Sequence, residues 1–104
     1  MLQILDKFDQ ETYEEIVKIW EATNIYNPAR SDDFKAIQHA LDNGGKILIA
    51  KENSDYIGTV WITHDFRRAY IHHMAVIPKY QGLGYGKKIL VKAIDFCQKL
   101  GYQV

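Results

Sequence analysis

Cysteine is almost missing from this sequence: Cys97 stands alone, so neither an internal disulfide nor a cysteine-built zinc site can form. A reducing, cytoplasmic setting is the expectation that follows. No apolar run approaches the roughly eighteen residues of a membrane span. The opening MLQILDKFDQ lacks the basic stretch and long apolar core of a secretory signal. Net charge is missing as well, with 13 Lys and Arg against 13 Asp and Glu. That balance excludes a protein held to nucleic acid by bulk electrostatics. What remains is a chain of 104 residues, 47% hydrophobic and 25% charged, too apolar for disorder and too short to divide. No repeat, low-complexity tract or linker interrupts it, so residues 1–104 read as one domain.

Charge is absent only in the sum. Residues 1–33 carry three cations and eight anions, a balance of −5, whereas residues 79–104 carry five lysines against Asp95, a balance of +4. An anionic ligand is therefore favoured near the last quarter of the chain.

Hydrophobic patterning supplies the elements. Leu2–Leu5 suits a short strand. Thr12 precedes Glu15 at capping-box spacing, and Tyr13, Ile16, Val17, Ile19 and Trp20 form the apolar stripe of a first helix ending before Asn27-Pro28. Ser31 can cap a second helix whose Phe34, Ile37, Ala40 and Leu41 face inward, with Gly44-Gly45 as its stop. Three strand-like runs follow, Lys46–Lys51, Tyr56–Thr63 and Ala69–Ile77, joined by polar turns at 52–55 and 65–68. Ile89, Leu90, Ala93, Ile94, Cys97 and Leu100 recur at helical spacing before Gly101. Tyr102-Gln103-Val104 reads as the opening of a further strand. The predicted architecture is an α+β domain.

Chemistry concentrates in Met74–Ile94, MAVIPKYQGLGYGKKILVKAI. A strand ends at Pro78 and the glycine-rich run Gln81–Gly86 opens a helix. Helix starts leave up to four N–H groups without intrahelical partners and carry partial positive charge. Glycines let the backbone approach a phosphate, and Lys87 and Lys88 add full charges. Together these suit a diphosphate. It is not a Walker A loop, since Gly86-Lys87 is followed by Lys88 rather than Ser or Thr. Nor is it the dinucleotide fingerprint, because Gly86 follows Gly84 by two positions instead of three.

At these residues the sequence resembles the GNAT superfamily of acyl-CoA-dependent N-acyltransferases. That family's pattern is Arg or Gln, two residues, Gly, one residue, then Gly or Ala, on a strand–loop–helix; Gln81, Gly84 and Gly86 match it in register. Val76, Pro78, Tyr80 and the Ile89-Leu90 pair agree, as does the element order along the whole chain. The resemblance implies a mixed, mainly antiparallel sheet flanked by helices. It also implies an enzyme that transfers an acetyl group from acetyl-CoA to the primary amine of a small molecule or peptide, without a metal.

By the same resemblance, backbone amides of Gln81, Gly82, Leu83, Gly84 and Gly86, with Lys87 beside them, hold the coenzyme A diphosphate. Main-chain groups of Met74 and Val76 hold its pantetheine arm, and an N–H near Met74 polarises the thioester carbonyl. His72 aligns with a family position that carries the general base. Strand alternation places Tyr70, His72, Met74 and Val76 on one face and Ile71, His73, Ala75 and Ile77 on the other. A bulge at Met74 would leave that parity unchanged upstream; one nearer His72 would swap the two histidines. Trp61, Thr63, Trp20 and Tyr26 are candidates for the amine cleft, and Cys97 reads as core filling rather than a nucleophile.

The resemblance also implies a continuation through a fifth strand, a further helix and a closing strand pair. The given residues stop at Val104, so the expectation is a domain lacking its C-terminal part, including a tyrosine that would protonate the departing thiolate. An exposed strand edge at 69–77 then becomes a surface for pairing with a second copy. A non-catalytic coenzyme A-binding or interaction module, or an inactive fragment of a longer acetyltransferase, is the alternative.

Overall fold

A computed structural model describes residues 2–27, 29, 32–65 and 67–102. Strands β1 (Leu2–Leu5), β2 (Lys46–Glu52), β3 (Asp55–His64) and β4 (Ala69–Val76) form a single sheet in the order β1-β2-β3-β4. Helices α1 (Gln10–Ala22) and α2 (Phe34–Asp42) connect β1 to β2, and α3 (Tyr85–Lys99) follows β4. All three pairings are antiparallel. Among the described residues the sheet is thus wholly antiparallel rather than mixed. No helix among them is long and apolar enough to cross a membrane.

Both faces of the sheet are covered, which explains why β2 is an unbroken apolar run instead of an alternating one. Ile47 and Ile49 pack with Ile16, Ile19, Trp20 and Ile37 of α1 and α2. Leu48 and Ala50 pack with Ile89, Ala93 and Cys97 of α3. Burial raises the Cys97 thiol above its ordinary value, in keeping with a core-filling role.

Local chemistry sets the helix ends. Asp9, not Thr12, caps α1: its carboxylate accepts from Thr12 N at 2.8 Å, and Thr12 Oγ1 accepts from Asp9 N at 2.9 Å. The capping box therefore begins three residues earlier than the spacing to Glu15 suggests, because Asp accepts as well as Thr and the apolar stripe starts within one turn of either. The helix ends before Asn27, as expected, at Ala22 with Thr23 as its C-cap. Asp33 occupies the N-cap position of α2, and Ser31 lies outside the described residues, as do Gln103 and Val104. Gly44, at φ +95°, carries the chain out of α2 as expected. Beyond α3, Gly101 turns the chain back so that Tyr102 stacks on His64 at 4.6 Å.

Candidate functional site

The glycine run lies between β4 and α3. Pro78 opens a single 3-10 turn through Tyr80, after which Gln81 returns to extended backbone. Gly82 and Gly84 take φ values of +78° and +88°, a left-handed conformation that side chains resist. A Cβ added to either would meet nothing within 4 Å. The glycines thus shape a turn that faces open space instead of fitting a crowded interior. Gly84 is the N-cap of α3 without a side-chain cap, and the first bond of that end runs from Lys88 N to Gly84 O at 3.3 Å. The amides of Tyr85, Gly86 and Lys87 precede that bond and have no intrahelical acceptor.

Side chains fix this turn to the sheet. Gln81 Nε2 donates to the carbonyl of Val76 at 2.8 Å. Tyr80 donates to Asp55 at 2.8 Å and Tyr85 to Glu52 at 2.9 Å, both reaching the β2–β3 hairpin. These carboxylates raise the proton affinity of the two phenols. Leu83 and Met74 remain exposed. A side chain at Gly86 would touch Val76 at 3.8 Å, so the helix start sits directly on the end of β4.

Just before Ala75, β4 departs from regular pairing. Thr59 pairs with Ala75 and Trp61 pairs with His72, so Val60 alone spans His73 and Met74. This is a bulge, with His73 at φ +47°. It overturns the parity expected from simple alternation. His72 remains on the side of Trp61, and the extra residue rotates His73 onto that side too. Val76, expected on the His72 face, packs instead with the α3 cluster, and Ala75 packs with the α1 cluster. The two histidines therefore share a face.

Their surroundings differ. His72 is exposed and its Nε2 lies 2.7 Å from Thr63 Oγ1. Partial burial, and then the neighbouring His73, lower its proton affinity. His73 lies between two indoles, with ring centroids 4.5 Å from Trp20 and 5.4 Å from Trp61. Its Nε2 is 2.9 Å from Asp32 Oδ1, a carboxylate whose side chain is 3% exposed. The other oxygen of Asp32 accepts from Asn27 N at 2.7 Å. Ile25, Asn27, Asp32 and His73 line an open cleft of about 310 Å³ between the α1–α2 connection and β4.

Of the four cleft candidates read from sequence, none is among these lining residues. Trp20 and Trp61 are packed beneath, and Trp61 Nε1 is a buried donor without a hydrogen-bond partner among the described residues. Thr63 holds His72, and Tyr26 shares its hydroxyl with Tyr13 at 3.2 Å. Asp32 is one of eight acidic residues in positions 1–33, and nothing local in the sequence marks it as the one that folds inward. The resemblance directs attention to β4, and the register shift brings His73 to Asp32.

A model of the acetyltransferase (GNAT) family matches residues 9–104. An acetyltransferase of Yersinia pestis is 25% identical over 84 residues, which cover 80% of this chain and 59% of that protein. The chain thus spans 59% of the length of the curated relatives it matches. A crystal structure of a GNAT-family acetyltransferase from Staphylococcus aureus superposes with a TM-score of 0.81 at 24% identity, covering 97% of this chain and 68% of that one. N-acetylglutamate synthase from Neisseria gonorrhoeae, solved with coenzyme A and N-acetylglutamate, gives a TM-score of 0.72 at 15% identity over 98% of this chain and 24% of that one. At such identities the structural likeness speaks for the fold.

Proposed function

This chain belongs to the acetyltransferase (GNAT) family, and on that premise we propose that its protein transfers an acetyl group from acetyl-CoA to a primary amine by direct attack in a ternary complex. The observation that carries the reading is the turn Gln81–Gly86, where two left-handed glycines face open space and lead into uncapped helix amides. A bulky dianion fits that cradle: it has room, N–H donors and the positive end of α3. Gly82, Leu83, Gly84 and Gly86 bind the diphosphate through their backbone, with Lys87 adding charge; Gln81, expected among them, instead donates its N–H to the Pro78 carbonyl at 3.2 Å and shapes the turn. Exposed Met74 and Leu83 offer apolar contact to the rest of the coenzyme.

The bulge gives the second support. Positions 73 and 74 fall outside the regular β3–β4 register, so Met74 N–H is assigned to the acyl carbonyl oxygen, with Met74 and Val76 main-chain groups along the pantetheine arm. Deprotonation of the attacking amine belongs to a β4 imidazole. His72, the position matched by family pattern, has its proton affinity lowered by burial and is thus available as an acceptor near neutral pH. A small-molecule or peptide amine enters from the α1–α2 side. Pairing with a second copy would use the outer edge at residues 69–77, the side of β4 away from β3. Acetyl-CoA as donor and a single buried thiol suit the cytoplasm.

Titration calorimetry with acetyl-CoA, followed by release of free thiol on addition of a panel of primary amines, tests the reading. Binding with amine-dependent thiol release supports it. Binding without release would mark a non-catalytic coenzyme A module, and absence of binding would overturn the cradle itself.

A further inference from the structure

We infer that His73 and Asp32 form a base–carboxylate dyad in the cleft beside the α1–α2 connection, His73 taking the proton of the incoming amine and Asp32 acting as the positioning residue. The inference rests on the acetyl-transfer reading above and assigns its base to His73 in place of His72.

Three observations carry it. The first is the contact itself: His73 Nε2 lies 2.9 Å from a carboxylate that is almost wholly buried. A carboxylate in its ionised form only accepts, so this contact puts a proton on Nε2, and in the neutral form of the ring the lone pair then lies on Nδ1. The second is the rigidity of the partner. Asp32 Oδ2 is held by Asn27 N at 2.7 Å, and the Asp32 carbonyl accepts from Tyr13 Oη at 3.4 Å. The third is placement, since both residues line the open cleft whereas His72 does not. Among the described residues, the hydrogen-bond partner of His72 is a hydroxyl, which can donate or accept and so fixes no tautomer.

His73 also sits in left-handed backbone that a histidine adopts only at a cost. Its carbonyl is pinned by Thr59 Oγ1 at 2.9 Å, which holds the unfavourable conformation in place. Among the described residues, the titratable groups around the dyad are His72 on the same strand and the Tyr13–Tyr26 hydroxyl pair from α1 and the connection. Asp33, at the start of α2, adds its charge near Tyr13. The indoles of Trp20 and Trp61, inclined 51° and 62° to the imidazole, pack against its ring.

In the reaction, the ammonium gives one proton to His73 Nδ1, which later returns it to water. The freed nitrogen pair forms the C–N bond at the acyl carbon as the C–S bond breaks. The second amine proton goes to the departing sulfur, so the products are an amide, coenzyme A thiol and one released proton.

The test uses two independent readouts. Long-range 1H–15N NMR of the wild-type protein should show His73 as the Nε2–H tautomer, and D32N should convert it to a mixture. A wild-type His73 protonated on Nδ1 would overturn the dyad whether or not any amine turns over. For whichever amine of the panel is acetylated, H73N should lower kcat about 100-fold, remove the acidic limb of the pH profile and leave acetyl-CoA affinity as in wild type. Asparagine suits the left-handed backbone, so this variant keeps the bulge. D32N should lower kcat roughly 10-fold or more, with KM for acetyl-CoA constant. H72A should keep the acidic limb. Loss of that limb in H72A with its retention in H73N would overturn the assignment. If acetyl-CoA does not bind at all, the family reading of the loop fails, and the tautomer measurement still decides the dyad.

Discussion

Thr59 and His73 are joined across the β3–β4 pair by a hydrogen bond of 2.9 Å from the threonine hydroxyl to the histidine carbonyl. The same hydroxyl accepts from Trp20 Nε1 at 2.9 Å. One buried oxygen therefore ties the first helix to the bulge that turns His73 into the cleft. A bulged strand leaves backbone groups unpaired, and Thr59 answers one of them with a side chain where the ladder cannot.

Removing that hydroxyl should loosen both ends. T59V keeps the shape but leaves a buried indole N–H and the His73 carbonyl without this partner. The expected cost is about 2 kcal/mol, or roughly 10 °C in Tm for a domain of this size. T59S should recover most of it. A T59V protein as stable as wild type by thermal denaturation would show that the bulge is held by other contacts.

The glycine turn should tolerate stability loss better than function loss. G84I places a β-branched side chain at φ +88°, which strains the turn and fills the space above it. Circular dichroism should still report a folded protein, while calorimetry should find acetyl-CoA affinity lowered at least about 10-fold. Undiminished affinity would remove the turn from the binding site.

Gly58 poses the opposite case. A Cβ there would lie 2.7 Å from Ile89 Cδ1 and 2.8 Å from the Ala75 carbonyl oxygen. Ile89 can yield as a flexible side chain end, but the backbone carbonyl of β4 cannot without shifting the strand. G58A should therefore destabilise by about 1–3 kcal/mol, measured by urea denaturation. Preserved stability would mean that β4 moves freely away from β3.

Acid should weaken the fold through His72. Burial, then His73, set its folded proton affinity below the unfolded value. The unfolded chain consequently binds the extra proton first. Stability from this group is complete above the usual histidine pKa of about 6.5 and is lost as pH falls through the lowered folded value. H72Q should flatten the decline in Tm between about pH 7 and 5. An unchanged slope in H72Q would assign the effect to other groups.

Sequence reading reached the elements with good accuracy because each has a local cause. The unbroken run of β2, the helical stripe of α3 and the glycine stop after α2 are found where patterning put them. The loop was legible for the same reason: positive φ at Gly82 and Gly84 demands glycine whatever surrounds it. The first cap was misread by three residues because Asp9 and Thr12 are both competent caps, and their mutual bonds are what distinguish cap from third helical position.

What the sequence settled by itself was chemistry that needs only neighbours along the chain: an α+β order, a glycine turn before a helix, two adjacent imidazoles on one strand. What tertiary structure alone decided was which way those imidazoles point and what they meet. Period-two alternation sends His72 and His73 to opposite faces. One unpaired residue in β4, pinned by Thr59 and Trp20 from distant elements, sends them to the same face and delivers His73 to Asp32, 41 positions earlier in the chain. Register is a property of two strands together, so no single strand's pattern can contain it.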